Sequence, residues 1–200
     1  MSHSTTAPSS ARLLTTPGAL GLGDLVAIFD DLQFTLKCCE RLVAELAHPR
    51  PDPVLVESLW VSALNSYARC FRPGDRGMGL TVADVEATGV PGEVTEWHEL
   101  LGRIRDFSLD GPVNPRETYS VGVSQAEGGE AAGIVITSAV RPLVDDVTVR
   151  QTGRLAFELS RLVDERIKDH QQKVFEAASR MTPQQLTALP AIEVAAEPSQ

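Results

Sequence analysis

The stretch VLVESLWVSALNSYARCF, residues 54–71, decides the structural class of this chain. Its apolar residues Val56, Leu59, Trp60, Ala63, Leu64, Tyr67, Cys70 and Phe71 return every three or four positions, which places them on one side of an α-helix. Only Glu57 and Arg69 carry charge, so the spacing predicts the most deeply buried helix of the protein. Pro49, Pro51 and Pro53 stand just ahead of it and separate it from whatever precedes, because proline removes an amide donor and disfavours helix at the residue before it.

Upstream, Leu25, Ile28, Phe29, Leu32, Leu36, Cys39, Val43 and Leu46 show the same period, and Asp24 can cap the first turn. A helix of about six turns is expected from Asp24 to Ala47. Downstream, the turn-rich loop Arg72 to Gly79 leads to a short, weakly helical piece near Thr81 to Glu86. A third long helix follows from Glu93 to Phe107, with Val94, Trp97, Leu101 and Ile104 on one stripe, until Asp110, Gly111, Pro112, Asn114 and Pro115 stop it.

The period then changes. Residues 118–125 and 131–140 are rich in β-branched side chains with partial alternation, and Ala126 to Glu130 between them form a turn, so a β-hairpin is expected. Ile134, Val135, Ile136 and Val140 make its second strand apolar enough to require cover from a helix or a partner chain. The last helix opens between Asp145 and Val147 and runs to about Arg180, a length of about 50 Å. Leu155, Leu159, Val163, Ile167, His170, Val174 and Ala177 form its stripe, and Asp164 with Lys168, Asp169 with Lys173 and Glu176 with Arg180 add acid-before-base pairs.

Residues 1–20 are Ser-, Thr-, Pro- and Gly-rich and read as a disordered tail. Thr182 and Pro183 can open one further turn, and the rest of 183–200 reads as mostly disordered. The expectation is a single domain over 21–182: mainly α, an antiparallel helical bundle of four to five helices with one β-hairpin inserted near 118–140.

A chain of 200 residues with 42% apolar content supports one hydrophobic core. Its net charge of -9 argues against binding driven by neutralising nucleic-acid phosphates, although a local basic patch would still admit RNA. Cys38, Cys39 and Cys70 are odd in number and lie in helical context, so they read as reduced core thiols, with burial expected to raise the Cys70 thiol pKa. The first residues lack the pattern of a signal peptide and no run of 18 apolar residues exists, so no membrane association and a cytoplasmic location are expected.

The glycines between Gly74 and Gly79 could present amides to an anion, yet no Lys-Ser/Thr pair follows and no strand precedes, which favours an ordinary connection. The histidines at 3, 48, 98 and 170 have no second ligand at helical spacing, so neither a metal nor any other cofactor is expected. His170 shares an apolar stripe and reads as a hydrogen-bonded core or interface residue. His98 stands seven residues before Arg105, two helical turns away, and is the histidine to test as a base. Asp106, Asp110 and Glu117 gather around the end of the third helix, where acids oppose the helix dipole and Arg103 and Arg105 can offset them.

Ser66 to Phe71, His98 to Asp106 and Val113 to Glu117, about 50 of the 200 residues, together resemble a pattern of HEPN-like bacterial helical proteins. In those, the third segment reads Arg-Asp, four intervening residues, then His-Ser-Val-Asn-Pro-Phe-Glu. The resemblance implies a helical bundle and, in active members, an Arg and a His that meet across a dimer and cleave RNA without a metal. Such chemistry requires the guanidinium to steady developing phosphate charge and the imidazole to move the proton. Carried over residue by residue, Arg105 takes the Arg position, Asp106 the one after it, and Asn114 and Glu117 the downstream polar pair. Gly111 stands where the His belongs and Pro112 where the Ser belongs, so the motif's proton chemistry is expected to be lost.

Three functional expectations follow. The first is a non-catalytic HEPN-like module that forms a homodimer and binds a protein or nucleic-acid partner in a regulatory, toxin-antitoxin or defence setting implied by the resemblance. The second is a metal-independent ribonuclease in which Arg105 works with His98 or Asp110 as substitute base. The third is an interaction domain unrelated to that superfamily.

Overall fold

The computed structural model describes residues 11–72, 77–111, 117–140 and 144–193, with only the backbone of Asp110 and Val140. These residues are mainly helical. Their elements, in chain order, are β1 (Ala11–Arg12), α1 (Pro17–Leu46), α2 (Pro53–Phe71), α3 (Val82–Ala87), α4 (Val94–Asp110), β2 (Glu117–Gln125), β3 (Ala131–Val140), α5 (Asp146–Ser179), α6 (Pro183–Ala188) and β4 (Ala191–Ile192).

Helix α1 begins at Pro17, seven residues ahead of the expected start. The Thr16 hydroxyl caps it by accepting from the Ala19 amide, and Pro17 occupies the first turn, where its missing amide costs nothing. Gly18, Gly21 and Gly23 weaken helix propensity here, but Gly21 is buried and a side chain there would meet Met78 and His170. Tertiary packing against α5 therefore outweighs composition. The disordered tail expected over 1–20 is corrected for residues 11–20, and 1–10 lie outside the described residues.

Contacts along α1 fix the directions of its neighbours. The Thr35 hydroxyl donates to the Ala63 carbonyl, while Cys70 lies beside Ile28, so α2 runs antiparallel to α1. A Cβ on Gly18 would meet Val174 and one on Gly153 would meet Cys39, so α5 is also antiparallel to α1. The core between these helices is built from Leu25, Ile28, Leu32 and Leu42 of α1, Trp60 and Leu64 of α2, and Leu155, Leu159 and Val163 of α5, all within 2% of full burial. Leu101 of α4 and Val85 of α3 close one side of it.

Helices α2 and α5, like α1, start on a side-chain cap, whereas α4 has none. The Asp52 carboxylate accepts from the amides of Val54 and Leu55, and the Asp145 carboxylate accepts from that of Thr148. Asp84 of α3 accepts from both the amide and the hydroxyl of Thr81, and Arg166 of α5 pairs with the same carboxylate, tying α3 to the long helix. Burial opposes ionisation of Asp84, but Arg166 and Thr81 outweigh it and hold the carboxyl below its usual pKa.

Strands β2 and β3 pair antiparallel with Val121 opposite Ile136 and Val123 opposite Ile134, within a residue of the limits expected from alternation. Their turn closes through a bond from the Gly129 amide to the Ala126 carbonyl, and Gly129 adopts a φ of 87° that favours glycine. A second pair was not foreseen: β1 and β4 align Ala11 with Ile192 and Arg12 with Ala191. Arg12 also donates to the Leu189 carbonyl, so the two ends of the described chain are joined. The expected turn after Thr182 is α6, and residues 194–200 lie outside the described residues. No helix among the described residues is long and apolar enough to cross a membrane.

Candidate functional site

Two of the segments that carry the resemblance, Ser66–Phe71 and His98–Asp106, meet where the C-terminal half of α2 packs on α4. Tyr67 is buried at 2% exposure, and its hydroxyl lies 2.8 Å from Nδ1 of His98. Phe71, one turn further along α2, packs on the same imidazole with ring centroids 4.3 Å apart. Burial raises the Tyr67 phenol pKa, so the hydroxyl keeps its proton at neutral pH. The phenol oxygen and Nδ1 share one hydrogen bond.

The bond commits Nδ1 of the imidazole to Tyr67. Burial lowers the His98 pKa, with Glu99 opposing in part. The sequence reading named His98 as the histidine to test as a base beside Arg105; the structure places it among Tyr67 and Phe71 of α2.

A second cluster lies further along the same two helices. The Asp106 carboxylate accepts from Arg105 at 2.8 Å and from Arg72 of α2 at 3.1 Å. Arg105, and then Arg72, hold that carboxyl below its ordinary pKa. Arg103, expected to offset the acids at this end of the helix, instead lies 3.8 Å from Glu99 one turn back. Because Asp106 is half exposed, its ion pairs contribute little to stability. Their effect is on charge, since the Arg105 guanidinium is partly neutralised by the residue beside it.

Gly111, the position that the resemblance aligns with a histidine, follows α4 directly. A Cβ built there would overlap the carbonyl oxygen of Phe107, one turn back in the same helix. Its φ of -72° is open to any residue, so the obstacle is space and not torsion. Asn114 and Pro112 lie outside the described residues, as does the side chain of Asp110. Glu117 belongs to β2, where its carboxylate bonds the Tyr119 hydroxyl and raises that phenol's pKa. Of the expected binding set, Arg105 and Asp106 are brought together, whereas Glu117 is engaged within the strand pair.

The loop read as a possible anion cradle has a partner of its own. The amides of Gly77 and Met78 donate to one oxygen of Asp24, at 2.9 and 3.2 Å, so the anion they hold is a side chain of α1. Residues 73–76 lie outside the described residues. Asp24, expected to cap the first helix, thus fastens this loop from inside it. A cavity of about 670 Å³ adjoins, lined by Pro17, Gly21, Asp24, Met78 and His170 among others. Cys38, Cys39 and Cys70 are buried free thiols, and burial pushes Cys39 up to about 12, with Cys38 adding to it. No group of three or more His, Cys, Asp or Glu among the described residues is placed to hold a metal ion.

Tyr67, Phe71 and Arg72 are the partners that sequence reasoning did not assign. Tyr67 and Phe71 stood in the apolar stripe of α2, and no local signal links them to His98 about 30 residues later. Comparison with family models, with curated proteins and with solved structures finds no match.

Proposed function

We propose that this chain is a non-catalytic interaction module of the HEPN-like kind, which forms a homodimer and serves a regulatory, toxin-antitoxin or defence system in the cytoplasm. The observation that carries this reading is Gly111: the place of the motif's proton-transferring imidazole is closed to any side chain by the Phe107 carbonyl. Two further features support it. His98, one of the two substitute bases expected, has its Nδ1 committed to Tyr67, and Arg105 shares its charge with Asp106. An active site for phosphodiester cleavage needs the opposite, an available base beside an uncompensated cation.

The antiparallel packing of α1 with α2 and α5 accords with the helical bundle that the resemblance implies. A protein partner suits the charge of -9 better than RNA does, since phosphate binding draws on a basic face.

Incubation of the purified protein with structured and unstructured RNA tests the catalytic half of the proposal. No cleavage above a buffer control is expected. Cleavage that disappears in Arg105→Ala would instead establish the ribonuclease reading. Light scattering across a concentration series tests the dimer.

A further inference from the structure

We propose that two copies of this chain associate through one face of the strand pair β2–β3, stacked face against face. The inference rests on the homodimer reading above and assigns it a surface. In an antiparallel pair, residues opposite one another share a face, and the face repeats at every second residue. The register therefore gathers Tyr119, Val121 and Val123 of β2 with Ile134 and Ile136 of β3 on one side. Thr118, Ser120, Gly122 and Ser124 lie on the other side with Gly133, Val135, Thr137 and Ala139. One face is thus a continuous apolar surface and the other is mostly small and polar.

All five apolar side chains are more than half exposed, and Val121 and Ile134 reach 71%. No helix among the described residues covers them. A two-stranded antiparallel pair is marginal alone in water and gains stability when an apolar face is covered. Together the five expose on the order of 600 Å², the upper end of what a monomer tolerates as one patch. A stable complex buries about 800 Å² on each partner, so two such patches stacked on one another supply most of that area.

The choice of a second copy as occupant follows from the patch itself. The five side chains carry no charge, and the Glu117 carboxylate on the same face stands at the first residue of β2, bonded to the Tyr119 hydroxyl at the edge of the patch. Outside this patch the chain carries a net charge of -9, which opposes contact between copies over most other surfaces. A two-fold arrangement sets identical patches against each other and covers both at once. Edge-to-edge pairing would extend the sheet yet leave its apolar face in water, which is why face stacking is the geometry assigned.

The test uses the full chain in light scattering, with a Val121→Asp/Ile136→Asp double variant. The wild type is expected at twice the 21.5 kDa chain mass and the double variant at 21.5 kDa, with an unchanged helical circular dichroism spectrum. A Ser120→Asp/Thr137→Asp variant on the opposite face controls for damage to the strands and should stay dimeric. A third variant needs no disruption. Because the native thiols are buried, Ile136→Cys should form an intermolecular disulfide under mild oxidation, whereas Ser120→Cys should not. A wild-type monomer at all concentrations would overturn both this inference and the dimer reading. A double variant that remains dimeric, or equal cross-linking at 120 and 136, would overturn the assigned face alone.

Discussion

The hydroxyl of Tyr67 lies 2.8 Å from Nδ1 of His98, joining α2 to α4 through a single neutral hydrogen bond beneath the ring of Phe71. The bond gives a buried phenol and a half-buried imidazole a partner at once. Whatever α4 presents to a partner is held against α2 by this contact and by the Arg72–Asp106 pair.

Tyr67→Phe removes the donor and leaves Nδ1 without a partner. A cost of about 1–3 kcal/mol is expected from such an orphaned buried acceptor, read as a lower urea midpoint. The bond stabilises the neutral imidazole, so its loss should also raise the His98 pKa, measurable from the imidazole resonances in a pH titration.

His98 should make the folded state sensitive to mild acid. Its pKa is lowered by burial, so below the ordinary histidine value the unfolded chain binds a proton that the folded chain resists. The sign follows directly: stability falls as pH drops from about 6.5 toward the depressed folded value, and it levels off below that. His98→Gln should flatten this limb in urea titrations between about pH 7 and 5. Equal slopes in wild type and variant would contradict the assignment.

Asp84 governs a lower window. Its folded pKa is depressed, so its contribution is present above the ordinary aspartate value of about 3.9 and is lost as pH falls through the folded one. Asp84→Ala removes the acceptor for Thr81 and Arg166 together. A loss of about 1–3 kcal/mol at neutral pH is expected, with a shallower acid limb in thermal unfolding.

Gly111→His cannot simply restore a missing catalyst. The new Cβ must displace the end of α4, because the Phe107 carbonyl occupies its place. Destabilisation of about 1–3 kcal/mol and no gain of RNA cleavage are expected, the former from chemical denaturation and the latter from an RNA gel assay. Gly111→Ala should show much of the same loss, since the first carbon already collides.

Leu159→Ala tests the core between α1 and α5. Leu159 is wholly buried at the middle of the long helix, and truncation there should cost about 2–5 kcal/mol. Val121→Ala on the exposed strand face should change monomer stability by less than about 0.5 kcal/mol, so the two variants separate core packing from the ribbon.

Periodicity in the sequence determined the long helices and the strand pair. Leu155, Leu159 and Val163 recur at helical spacing because burial on one face selects them, and the switch at Thr118 to alternating β-branched residues marks β2, whose side chains repeat at every second position. The substitution at Gly111 is likewise a local fact, readable without coordinates. Tertiary structure alone decided the start of α1 at Pro17, where packing of Gly21 on Met78 and His170 overrides three weak helix formers. It decided too that His98 turns to Tyr67, that Asp24 receives the loop amides, and that Ala11 pairs with Ile192. These pairings join residues tens to nearly two hundred positions apart, and no local propensity encodes which distant groups will meet once the chain has closed around its core.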